Sequence, residues 1–98
     1  MIKEIAKSYD ITYIKALEAT KTCGFQIENE SLTNGVITFK VGISLWSWGE
    51  TFYVKLQKVN DNLTLLDVSS KNFQLGSWGK HESNITNFFS VLDTLIKK

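Results

Sequence analysis

From Ile37 to Leu45 the chain reads Ile-Thr-Phe-Lys-Val-Gly-Ile-Ser-Leu, so Ile37, Phe39, Val41, Ile43 and Leu45 alternate with Thr38, Lys40, Gly42 and Ser44. Successive side chains of a β-strand point to opposite faces, and this alternation predicts a strand with one face in a core and the other open. Such a strand needs paired neighbours and an apolar layer on its inward side. The flanking sequence offers both.

Before it, Phe25 and Ile27 alternate with Gln26 and Glu28, and Thr33-Asn34-Gly35 predicts a hairpin, because Asn-Gly accepts the positive φ angles of a type I′ turn. After it, Phe52, Val54 and Leu56 continue the inward set while Tyr53, Lys55 and Gln57 point the other way. Asn60-Asp61-Asn62 makes a turn into a last strand, Leu63 to Ser70, with Leu66 and Val68 inward and Leu65, Asp67 and Ser69 outward.

Two helical patterns flank these strands. After Ser8 and Asp10, both good N-caps, Ile11, Ile14, Leu17 and Lys21 recur at helical spacing, with Tyr13, Ala16 and Thr20 beside them, until Gly24 supplies a stop. At the far end Ile85, Phe88, Phe89, Leu92, Leu95 and Ile96 form an apolar stripe. Stepping back by sevens from Leu92 reaches Trp78, which predicts a helix starting there with Ser77 as N-cap and Gly79 and Lys80 in its first turn. Residues 2–8 fit a short edge strand, although the apolar positions 2, 5, 6 and 9 also fit a helix; we read them as a strand. The expectation is an α+β fold in one domain spanning residues 1–98. It has an antiparallel sheet of four or five strands with two helices packed on one face, in the order (β)αββββα.

Composition removes several chemistries. The formal net charge is +1 and every basic residue is a lysine, so there is no electrostatic case for nucleic acid and no guanidinium fork for reading bases or clamping phosphate. One cysteine and one histidine are too few for a disulfide or for a zinc site, and neither a metal nor a cofactor is expected. No stretch approaches the roughly 20 apolar residues of a membrane span. The start of the chain has no signal-peptide core, which places the protein in the cytoplasm by default and makes the Asn29, Asn62 and Asn84 glycosylation triplets irrelevant.

Ser-Trp-Gly occurs twice, as Ser47-Trp48-Gly49-Glu50 and as Ser77-Trp78-Gly79-Lys80. One copy leads into a strand and the other into a helix, so the two are not an internal repeat. Taken in order, Cys23-Gly24-Phe25 with Ile27, Ser44 to Glu50, Val68-Ser69-Ser70-Lys71, and Ser77 to Lys80 with Asn84-Ile85 resemble a family of small, uncharacterised bacterial domains. That family reads G-[WF]-x-I, S-x-x-S-W-G-E, S-S-K and D-W-G-K-N-x-x-N-I. The resemblance spans nearly the whole chain and implies no activity; Ser77 and His81 stand where the family has aspartate and asparagine. Aspartate in relatives fits a helix cap at position 77.

Two site readings follow. In the preferred one, Trp46, Trp48, Tyr53 and Trp78 form an aromatic contact surface on or beside the open sheet face. The domain is then a non-catalytic binding module for a protein partner, a second copy or a small apolar ligand. The rival packing for Trp46 and Trp48 is against Trp78, as core. In the alternative, Ser69, Ser70, Lys71, Ser77, Gly79 and Lys80 surround a helix N-terminus and hold a small anion, as a sensor or enzyme. The glycine spacing there is too short for a phosphate loop, and His81 replaces the required hydroxyl. Glu50 and Lys80 suit a structural ion pair, and Cys23 with His81 lacks a third group to orient a nucleophile.

Overall fold

A computed structural model describes residues 2–41, 50–70 and 78–97, with the backbone alone at 50, 70 and 78–84. The elements in chain order are β1 (Ile2–Ile5), α1 (Tyr9–Thr22), β2 (Gln26–Ser31), β3 (Val36–Val41), β4 (Glu50–Asn60), β5 (Leu63–Ser70) and α2 (Trp78–Ile96). The five strands make one antiparallel sheet in the order β1-β5-β4-β3-β2. This is the α+β architecture expected, with residues 2–5 as the fifth strand. Because β1 and β2 lie on opposite edges, the α1 that joins them has to cross the sheet.

The core lies between the helices and one face of the sheet. Ile37, Phe39, Phe52, Val54, Leu56, Leu66 and Val68 are buried with Ile5 of β1, Tyr13, Ala16 and Ala19 of α1, and Phe88, Phe89 and Leu92 of α2. Phe39 is its centre, stacked at ring-centroid distances of 5.1 Å on Phe25, 5.4 Å on Phe52 and 5.7 Å on Phe88. Alternation named the buried side of β4 and β5 correctly. Ile43 and Leu45 lie outside the described residues, as does Ser77.

Helix α1 begins and ends as its residues dictate. The Ser8 hydroxyl accepts from the Ile11 N–H at 3.3 Å. At the other end Gly24 takes φ +78°, and the amides of Gly24 and Phe25 donate to Lys21 and Thr20 carbonyls at 3.0 and 3.1 Å. These are the two bonds of a Schellman cap, which needs a residue tolerant of the left-handed region. The face it buries differs from expectation. Ile11 and Ile14 are 45% and 59% exposed, whereas Thr12, Tyr13, Ala16, Ala19 and Thr20 face inward. Four of these five are small, which lets the helix axis approach its neighbours closely; a stripe led by isoleucines would hold it further off.

That face contains a misfit. Thr12 is fully buried, and its Oγ1 has no hydrogen-bond partner among the described residues. A buried hydroxyl that has lost water without gaining a partner is destabilising. Thr12→Val keeps the shape and removes the polar atom, so it is expected to raise stability by about 1 kcal/mol. A urea melt showing no rise in midpoint would mean that the hydroxyl finds a partner in solution.

The turn between β2 and β3 also departs from expectation. It runs from Leu32 to Gly35, and only Gly35 has positive φ, at +67°; Asn34 does not, so this is not a type I′ turn. The Gly35 N–H instead donates to the Ser31 carbonyl at 2.9 Å and the Asn34 N–H to the Ser31 hydroxyl at 3.2 Å. Between β4 and β5 the Asn62 N–H donates to Asn60 Oδ1 at 2.8 Å, which builds the expected Asn-rich turn. On β1, Lys3 Nζ reaches both carboxylate oxygens of Asp93 on α2 at 2.8 and 2.7 Å and lies 5.5 Å from the Phe89 ring centre. This partly exposed pair ties the edge strand to the last helix.

Candidate functional site

The sheet has a second face, and no described element packs on it. Register sets out what it carries. One row across the strands reads Val36, Lys55, Asp67, Ile2, from β3 through β4 and β5 to β1. The row beside it reads Thr38, Tyr53, Ser69, and the row on the other side Gln57, Leu65, Glu4. Val36, Tyr53 and Leu65 are partly exposed and Ile2 is 68% exposed. Ile2, Val36 and Leu65, with Asn34, Gly35, Lys55, Gln57 and Asp67, line a hollow of about 400 Å³. Its charged groups, Lys55 and Asp67, sit side by side in the middle row, with the apolar Val36 and Ile2 at the two ends, a surface suited to amphipathic contact.

Of the residues expected in the aromatic surface, Tyr53 is on this face as alternation required. Trp46 and Trp48 lie outside the described residues; Trp78 begins α2, where only its backbone is described. Whether the indoles are core or contact surface therefore lies outside the described residues. Ile2 and Val36 join Tyr53 unannounced, since little in the sequence signals that β1 pairs with β5. The β-branched Ile2 and Ile5 at the two ends of a four-residue segment were the available hint.

Of the residues expected to hold an anion, Ser69 is exposed on the row of Tyr53, directly opposite it. Ser70 pairs with Phe52 at the end of β5, and Gly79 and Lys80 fall in the first turn of α2. Lys71 and Ser77 lie outside the described residues, as do the side chains of Glu50 and Lys80 that were expected to pair. The structure thus brings Ser69 to Tyr53, two residues assigned to different sites. Cys23 caps α1, and burial pushes its thiol up, leaving little thiolate at neutral pH. Burial, then Glu30 and Tyr9, push the Tyr13 phenol up as well. Among the described residues, no three His, Cys, Asp or Glu side chains are grouped to hold a metal ion, and no helix is long and apolar enough to cross a membrane.

No protein-family model and no curated protein matches the chain. Solved structures do. The chain is similar to one in the crystal structure of the adenylate sensor from AMP-activated protein kinase in complex with 5-aminoimidazole-4-carboxamide 1-β-D-ribofuranotide, with TM-score 0.72 and 14% identity over 92% of this chain and 93% of that one. It is also similar to a conserved protein from Geobacillus kaustophilus, with TM-score 0.52 and 11% identity over 98% of this chain and 92% of that one. At such identities the likeness is one of fold alone.

Proposed function

We propose that this domain is a non-catalytic binding module that contacts a protein partner or an apolar ligand through Tyr53, on the sheet face that no described element covers, together with Trp46, Trp48 and Trp78. The observation that carries this reading is the asymmetry of the sheet. One face is filled by two helices; the other presents Ile2, Val36 and Leu65 around a hollow of about 400 Å³, with Tyr53 in the neighbouring row and no described element over it. Partly exposed apolar side chains gathered around a hollow are a common feature of contact surfaces; here they flank a central pair of opposite charges, Lys55 and Asp67. One solved structure of similar fold is of an adenylate sensor with a ribofuranotide bound, a likeness of fold that does not name a ligand for this chain. We also assign the chain to the small bacterial family that its Ser-Trp-Gly-Glu, Ser-Ser-Lys and Trp-Gly-Lys motifs resemble.

The test compares the purified chain with the double variant Tyr53→Ala, Leu65→Ala by native mass spectrometry and light scattering. Both side chains lie off the helix-covered face, so circular dichroism should show the variant folded. The wild type is expected to carry a bound small molecule or to associate, and the variant to do neither. A ligand-free monomer in both cases would count against the reading.

A further inference from the structure

The middle row of the face that no described element covers has a symmetry of its own. From β3 to β1 it reads Val36, Lys55, Asp67, Ile2: apolar, positive, negative, apolar. A two-fold axis in the plane of contact, running along the strands between β4 and β5, brings Lys55 of one copy over Asp67 of the other. The same rotation sets Val36 over Ile2 and Tyr53 over Ser69. Every charge in the row then meets its opposite and every apolar residue meets an apolar one.

We infer that the partner this face fits is a second copy of this chain, packed sheet against sheet about that axis. The inference rests on the proposed binding role of the face and deepens it by naming the occupant. Lys55 and Asp67 are already directly opposite each other on β4 and β5 within one copy. Dimerisation adds the two cross-copy pairs, so that four charges alternate in sign around a square. The hollow beside Asp67, lined by Ile2, Val36 and Leu65, receives the stem of the other copy's Lys55, while the ammonium reaches the carboxylate. Each copy fills the other's hollow in the same way, as a two-fold interface requires.

The strength follows from area. The four strands that overlap about this axis, about 4.8 Å apart and about 20 Å long, present roughly 380 Å² per copy. That is below the ~800 Å² per partner of a standard interface, so the dimer is transient and concentration-dependent.

The experiment is sedimentation velocity on the full chain up to its highest soluble concentration, with Lys55→Glu and Asp67→Lys alone and mixed. The wild type is expected to show reversible dimerisation. Each variant alone sets like charges against each other at both cross-copy contacts and should dimerise at least ~10-fold more weakly. Mixed in equal amounts, the two variants restore both contacts. The glutamate introduced in the first meets the lysine introduced in the second, and the native Asp67 of the first meets the native Lys55 of the second. Heterodimers should therefore recover the wild-type affinity. A wild type that stays monomeric, or variants that do not complement each other, would overturn the inference. A monomer that still carries a small molecule lost in the Tyr53→Ala, Leu65→Ala variant would overturn the dimer while sustaining the binding role.

Discussion

Phe39→Ala is expected to be among the most damaging single substitutions in this chain, lowering stability by about 3–5 kcal/mol. Its ring is 1% exposed and stacks on three others, Phe25 just before β2, Phe52 from β4 and Phe88 from α2. Removing it opens a void where sheet and last helix both close on the same side chain. A small domain has about 5–15 kcal/mol in total, so the variant should melt far earlier in urea or lose its cooperative transition. Phe25→Ala provides the internal comparison. Phe25 is only partly buried at the sheet edge, so its loss should cost clearly less. Equal costs would mean that the stack is not centred on Phe39.

Gly35→Ala is expected to cost about 2–4 kcal/mol, because it combines a left-handed backbone penalty with overpacking. At φ +67° an L side chain is strained, and a Cβ would stand 2.6 Å from Tyr9 Oη and 2.7 Å from the Leu56 carbonyl oxygen. The tyrosine can swing aside only by giving up its hydrogen bond to the Leu32 carbonyl. The Leu56 carbonyl belongs to a strand that is also held by its N–H donating to Gly35 O at 2.8 Å. Adding Tyr9→Phe should therefore recover only part of the loss. Full recovery in a denaturant melt would show that the hydroxyl, not the backbone, was the obstacle.

Local chemistry explains why some of this was readable in advance. Ser8 and Gly24 bound α1 because a cap depends on neighbouring residues alone, and the Leu63–Ser70 strand stands where its alternation put it. The buried side of α1 was not readable in the same way. Ile11 and Ile14 have the greater hydrophobicity, yet Ala16, Ala19 and Thr20 face the core, because close approach to the sheet and α2 outweighs the transfer energy of two isoleucines. The hairpin turned on a similar point. Asn-Gly permits a type I′ turn, but the Ser31 hydroxyl and carbonyl hold a longer loop in which only glycine needs positive φ.

For the candidate site the same division holds. Tyr53 and Leu65 were assigned to the open face by alternation, and they are there. Ser69, read as outward by the same alternation and also assigned to an anion site, stands directly opposite Tyr53. The reason is distance along the chain: which residues share one strand's face follows from a two-residue repeat in the backbone, whereas which strands lie side by side follows from contacts between segments far apart in sequence. By itself, then, the sequence determined the caps of α1 and the two faces of β3, β4 and β5. Only the tertiary structure decided that β1 lies beside β5, at the edge opposite β2, and so placed Ile2 beside Asp67, Lys55 and Val36 in a single row.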